Sequence, residues 1–169
     1  MLSLGRRAAT YDGTNIERLL AFQVAHELWL TIEPSDIYML QNLHTDGVLQ
    51  KVNEQSRNKH QELQGQIIGL VTGIVQQAMD DGELPTGQLN AADLVYGLWS
   101  MNYGGQLLRS YKISLNQMGI RDPGKAIATL SQATLDGLGW RPSMNMKQTQ
   151  ILIDHLKNDF FKTDIEQLR

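Results

Sequence analysis

Cysteine is absent from this chain of 169 residues, and proline occurs only four times. The absence of cysteine excludes disulfides, a thiolate nucleophile and cysteine-based zinc sites, and it favours a reducing cytoplasm as the location. No proline interrupts residues 47–81, so that stretch can form one long helix.

Long blocks of like charge are also missing. Lys and Arg number 15 against 18 Asp and Glu, which gives a net charge of -3, so charge does not indicate a nucleic-acid or membrane-surface partner. Arg6 and Arg7 are not followed by an apolar stretch of signal-peptide length, and we therefore expect no export. The apolar content of 41% is typical of a globular protein.

Apolar residues recur at helical spacing along most of the chain, and no useful length alternates apolar and polar residues as a half-buried strand does. The sequence therefore predicts an all-α fold, a single helical domain of about six helices. Their expected bounds are residues 14–32, 35–45, 47–81, 89–112, 123–138 and 146–161, with a polar tail after the last.

The segment "GQIIGLVTG" places Gly65, Gly69 and Gly73 four residues apart. A membrane-spanning helix needs about 20 mostly apolar residues, and polar residues bound this segment too closely for that. The glycines therefore predict one thinned side of a helix in water, although each costs up to about 1 kcal/mol relative to Ala. Close packing of another helix and space for a ligand both remain possible uses.

Two aromatic stripes strengthen the pocket hypothesis. One consists of Phe22, His26 and Trp29 in the first predicted helix, and the other of Tyr96, Trp99 and Tyr103 in the fourth. If both face the glycine side of the third helix, they enclose an aromatic space with a few polar tips. The alternative is that these rings belong to the core, because aromatic side chains contribute much of its area.

Motifs of enzyme chemistry are missing from the sequence. None of the four histidines has a Glu three positions before it, as helical carboxylate-bridged metal sites require. The zinc-protease, nucleophile-elbow, phosphate-loop and dinucleotide patterns do not occur either. We therefore predict no catalysis, no metal site and no cofactor.

The order of elements resembles that of a known family. The segment "DDGELP" precedes a helix opening "NAADLVYGLW", and the next helix closes with "LDGLGWRP". This progression, over about residues 5–143, resembles the C-terminal regulatory domain of the TetR family of bacterial transcription repressors. The resemblance implies that the last two helices of this region pair with their twins in a four-helix dimer interface, while the preceding helices surround an effector pocket.

Members of that family begin with a three-helix DNA-binding unit, for which residues 1–13 are too short. The resemblance thus implies a division into residues 1–13, a remnant leading from a missing domain, residues 14–143, the effector-binding and dimerisation domain, and residues 144–169, an additional helix and tail. The chain is then either a fragment of a regulator or a stand-alone relative. DNA would be bound only through a domain outside this chain.

The expected partners are a second copy of the chain and a small apolar or amphipathic effector, without a membrane. The alternative is a helical protein-protein interaction scaffold without a ligand pocket. The expected effector contacts are Phe22, His26, Trp29, Met39, Ile67, Val71, Tyr96, Trp99 and Tyr103. The expected dimer contacts are Leu94, Leu98, Met101, Gly105, Leu108, Ala126, Leu130, Ala133 and Gly137.

Overall fold

The computed structural model describes residues 1–32, 53–85, 87, 89–110 and 115–167, and every regular element in them is helical. The all-α prediction is confirmed for this part of the chain. The predicted helix at 35–45 lies outside the described residues. The helices are α1 (Leu2–Ala9), α2 (Asn15–Ile32), α3 (Glu54–Asp80), α4 (Ala91–Ser110), α5 (Pro123–Gly137), α6 (Met146–His155) and α7 (Lys162–Gln167), with a π-helical turn at Leu156–Phe160 between the last two.

Side-chain caps explain where several helices begin. The Asn53 side chain accepts a hydrogen bond from the Ser56 backbone N–H at 2.8 Å, and Asp122 does the same for Lys125 at 2.9 Å. Because Asn53 has an extended backbone, with φ -62° and ψ 153°, α3 begins at Glu54 and the predicted start near residue 47 is wrong. Asn145 caps α6 in a reciprocal arrangement with Gln148.

Two clusters of buried apolar residues form the core. The first joins α2, α3, α4 and α5 with the turns that follow α3 and α5, and the second joins α1, α2, α6 and the π-helical turn. The first contains Ile16, Leu19, Ile74, Val75, Ala78, Leu84, Ala91, Leu94, Val95, Leu98, Leu135 and Trp140. The second contains Leu4, Ala8, Ala21, Val24, Ala25, Leu152, Leu156 and Phe161.

The two ends of the described chain pack against each other as well as against α2. Arg7 of α1 approaches Asp164 of α7 at 3.1 Å and donates a hydrogen bond to the Phe160 carbonyl at 2.7 Å. Its guanidinium also lies 5.0 Å from the centre of the Phe160 ring. Sequence analysis did not predict α1, and residues 162–167, expected as part of a polar tail, form α7.

The turn after α3 contacts the segment after α5. The Arg141 backbone N–H donates to the Glu83 carbonyl at 2.6 Å, and the indole N–H of the fully buried Trp140 donates to the Glu83 carboxylate at 3.4 Å. The segments "DDGELP" and "LDGLGWRP" therefore meet in space. This contact holds the end of α5 beside the end of α3.

Candidate functional site

A cavity of about 380 Å³ lies among α2, α3, α4 and α5, with further contacts from α1 and α6. Apolar and aromatic side chains make up most of its wall. The lining residues are Met1, Leu2, Ile16, Leu19, Leu20, Phe22, Gln23, His26, Trp29, His60, Leu63, Gln64, Ile67, Ile68, Val71, Val95, Leu98, Trp99, Asn102, Tyr103, Ala128, Ser131, Gln132, Leu135, Met144 and Thr149.

Helix α2 contributes its complete expected stripe to this cavity. Phe22, His26 and Trp29 all lie in the wall, and the ring centres of His26 and Trp29 are 5.8 Å apart. Gln23, which the sequence analysis did not single out, lies beside them. The spacing i, i+4, i+7 keeps the three rings on one face of the helix.

Helix α3 faces the cavity with Ile67 and Val71, as expected, and not with its glycines. Gly65, Gly69 and Gly73 are exposed, and a Cβ atom added at any of them would meet none of the described atoms within 4 Å. Gly69 is two residues from both Ile67 and Val71, which corresponds to about 200° around a helix, the opposite face. Within the described chain the glycines therefore neither admit a packed helix nor enlarge the cavity, in contrast to both uses considered from sequence.

Helix α4 brings Trp99 and Tyr103 into the wall, with ring centres 6.1 Å apart, but not Tyr96. The Tyr96 side chain is 67% exposed and lies outside the cavity. It is three residues from Trp99, which rotates it by about 60° around the helix, and Trp99 already lies at the solvent edge with 42% exposure. Met39, the remaining expected effector contact, lies outside the described residues.

Helix α5 supplies a part of the wall that the sequence analysis missed. Ala128, Ser131 and Leu135, spaced i, i+3 and i+7, face the cavity together with Gln132. The same helical spacing could have identified this face. The dimer prediction concerns Ala126, Ala133 and Gly137 on another side of α5, whose small size favours close helix packing.

The expected dimer residues divide into two groups. On α5 the stripe Ala126, Leu130, Ala133 and Gly137 is exposed, with Leu130 at 60%, and Leu108 of α4 is exposed as well. The other four pack within the chain itself instead. Leu94 and Leu98 are buried in the first cluster, Met101 packs against that cluster, and a Cβ atom added at Gly105 would collide with Ile127 of α5.

The described wall of the cavity contains no Asp, Glu, Lys or Arg side chain. Burial, with a smaller contribution from the positively charged amino group of Met1, lowers the pKa of His26 to about 4. The His26 imidazole is therefore neutral at pH 7, so one ring nitrogen can donate a hydrogen bond and the other can accept one. Helix α2 therefore gives the wall hydrogen-bonding groups but no charged side chain.

Three comparisons bear on the identity of the chain. The search of known protein families, of curated proteins and of solved structures found no match. The resemblance to the TetR family therefore stays a prediction.

Neither a metal-binding cluster nor a bilayer-spanning helix occurs among the described residues. No group of three or more His, Asp or Glu side chains there is arranged to hold a metal ion. None of the helices in the same residues combines the length and apolar character that crossing a bilayer requires.

Proposed function

We propose that this chain is the effector-binding and dimerisation domain of a TetR-like transcriptional regulator, and that its cavity binds a small, largely aromatic molecule without a positive charge. The observation that carries this proposal is the cavity of about 380 Å³, with the rings of Phe22, Trp29 and Trp99 in its wall. Its size and its mixture of many apolar and few polar groups are typical of small-molecule sites.

The preference for a ligand without a positive charge follows from the charges of the wall. A charged group that leaves water loses its hydration, and within the protein it needs an opposite charge in compensation. The described wall has no carboxylate to compensate a cation, and the Met1 amino group near His26 is itself positively charged. An aromatic body, in contrast, gains about 25 cal/mol for each Å² of apolar surface that it buries, and it can pack edge-on or offset against the rings.

Helix α5 connects the cavity with the proposed dimer face. Ser131 and Leu135 line the cavity, while Leu130 and Ala133 are exposed on the other side of the same helix. A ligand that binds two arrangements of α5 with different affinity would shift the population between them. In the proposed regulator this shift changes the spacing of DNA-binding domains outside this chain, and the chain itself carries out no catalysis.

Binding of matched naphthalene probes tests the ligand proposal. We expect neutral 2-methylnaphthalene to bind with a dissociation constant between roughly 10 μM and 1 mM, as its few heavy atoms allow. Cationic 2-naphthylmethylammonium should bind at least about tenfold more weakly, because the described wall has no carboxylate to compensate its charge and the Met1 amino group repels it. Isothermal titration calorimetry measures both, and equal affinities or an absence of 2-methylnaphthalene binding would contradict the proposal.

Sedimentation of the purified chain tests the proposed homodimer. We expect the unmodified protein to sediment as a dimer and Leu130→Glu to sediment as a monomer, because burying an unpaired carboxylate at a dimer face is strongly unfavourable. Ile151→Glu is the matched control, since Ile151 of α6 is also exposed, at 59%, but lies outside the α5 stripe. A wild-type chain that sediments only at its monomer mass of 19.0 kDa would rule out self-association.

A protein-protein interaction scaffold is the second candidate. It is favoured by the large exposed apolar side chains Tyr96, Leu108 and Leu130, at 67%, 51% and 60%. In a scaffold the cavity has no ligand to bind, so the naphthalene titrations separate the two proposals.

A further inference from the structure

Two buried hydroxyl groups in the cavity wall lack a hydrogen-bond partner among the described residues. They belong to Ser131 of α5 and Thr149 of α6, which are only 5% and 6% exposed. A buried polar atom without a partner costs about 1–3 kcal/mol. Two such groups in the wall of one cavity therefore require a physical explanation.

Three exposed helical threonines satisfy their hydroxyls locally. Thr129 and Thr134 of α5 donate to the carbonyls of Lys125 and Leu130, at 2.8 and 2.9 Å. Thr31 of α2 donates to the Glu27 carbonyl at 2.9 Å. These carbonyls lie four residues earlier in the helix, which is the usual internal partner of such a hydroxyl. Ser131 and Thr149 do not make this bond.

We infer that Ser131 and Thr149 are the polar anchor of the cavity, and that the ligand carries an uncharged hydrogen-bonding group, a hydroxyl or a carbonyl, on its aromatic body. This inference rests on the proposed function of the cavity as a ligand site. The anchor comes from α5 and α6, whereas the aromatic part of the wall comes mainly from α2 and α4. The site thus recognises the two parts of such a molecule with different helices.

Ser131 and Thr149 line the cavity, and each hydroxyl oxygen exposes less than 1 Å². Rotation about χ1 moves a Ser hydroxyl between staggered positions, and a helical Thr has two accessible rotamers. In the proposed complex, such a rotation turns either oxygen toward the ligand. A hydroxyl can donate or accept, so both a ligand hydroxyl and a ligand carbonyl suit this anchor.

The test compares 2-naphthol with 2-methylnaphthalene, which differ by a hydroxyl in place of a methyl group of similar size. Calorimetry gives the ratio of their dissociation constants for the wild type and for the double variant Ser131→Ala, Thr149→Val. We expect the preference for 2-naphthol, measured as this ratio, to fall by about tenfold in the double variant, the effect of about one hydrogen bond. The affinity for 2-methylnaphthalene should be equal or higher.

Thr72→Val is the matched control. The Thr72 hydroxyl of α3 also lacks a partner among the described residues, but Thr72 lies outside the cavity wall. This variant should keep the wild-type ratio. In the absence of a probe, the double variant should be at least as stable to urea as the wild type, because it removes unpaired buried polar atoms. A purely structural role of the hydroxyls predicts the opposite, a loss of stability.

The outcomes separate this inference from the proposed function. If 2-methylnaphthalene binds but the ratio is the same in the wild type and the double variant, the anchor is refuted while the ligand site stands. An equal fall of the ratio in Thr72→Val would refute it too. If neither probe binds the wild type, the ligand site and its anchor are both refuted.

Discussion

Ala128→Phe should abolish the binding of 2-methylnaphthalene, with a loss of affinity greater than about 100-fold, while the protein stays folded. Ala128 lies in the cavity wall on α5, so a phenyl ring at this position would extend into the space that the probe needs. Protein interiors are close-packed and yield little, so the ring and a ligand cannot occupy the same volume.

The same substitution should leave the free energy of unfolding unchanged or raise it by about 0.5–2 kcal/mol, as filling an existing cavity commonly does. This combination of lost binding and retained stability distinguishes occlusion of the site from damage to the fold. Calorimetric titration and urea unfolding measure the two quantities.

Ala92→Phe is the control for this experiment. Ala92 is exposed on α4 and lies outside the cavity wall, so the same change of side chain there should preserve the affinity for the probe. Binding that survives Ala128→Phe would show that the probe occupies some other place. A comparable loss in Ala92→Phe would show that the effect does not depend on the cavity.

Acidification should destabilise the protein through His26, by about 3 kcal/mol between pH 6.5 and pH 4. The pKa of His26 is lowered from its ordinary value of 6.5 to about 4, mainly by burial and secondly by the Met1 amino group. Between these two pH values the unfolded state binds the proton and the folded state does not. The contribution of neutral His26 to the free energy of unfolding is therefore fully present above pH 6.5 and is lost as the pH falls through 4.

Urea unfolding of the wild type and of His26→Gln at a series of pH values measures this contribution, since glutamine is polar but does not titrate. Between pH 6.5 and pH 4, the free energy of unfolding should fall by about 3 kcal/mol less for His26→Gln than for the wild type. His155→Gln is the control, because the His155 side chain is 50% exposed and lies outside the cavity wall. Identical slopes for the wild type and His26→Gln would mean that His26 accepts its proton in the folded state as readily as in the unfolded one. His60, Tyr103 and the Met1 amino group share the cavity wall with His26 and stay unchanged in both variants.

Several helix bounds were predictable because local chemistry sets them. Thr14 precedes α2 and donates its backbone N–H to the Glu17 carboxylate at 2.8 Å, and a Thr followed three residues later by Glu is a common mark of a helix start. Asn90 accepts from the Asp93 N–H at 2.9 Å before α4, and Pro123 opens α5 behind its cap. The start of α3 was predicted too early, because the sequence before Asn53 contains no strong signal that ends a helix and the cap at Asn53 was not recognised.

The glycine stripe illustrates what a local pattern leaves open. The spacing of Gly65, Gly69 and Gly73 correctly indicated one side of a helix, but not what that side meets. Ile67 and Val71 on the opposite face bury more apolar surface, so that face turned toward α2 and α4 and the glycines were left outside. A stripe of glycines has no side chains to bury, so it does not by itself favour packing of that side against another helix.

Periodicity and capping, which act within a few residues, were sufficient for the helical class, for most helix ends and for the inward direction of Phe22, His26 and Trp29. The packing of distant segments decided the rest. It joined α1 and α7 through Arg7, turned Tyr96 out of the cavity while keeping Trp99, and brought Ser131 and Thr149 into one wall. These outcomes depend on which faces bury the most surface against each other, a property that belongs to pairs of helices and cannot be assigned to any one of them.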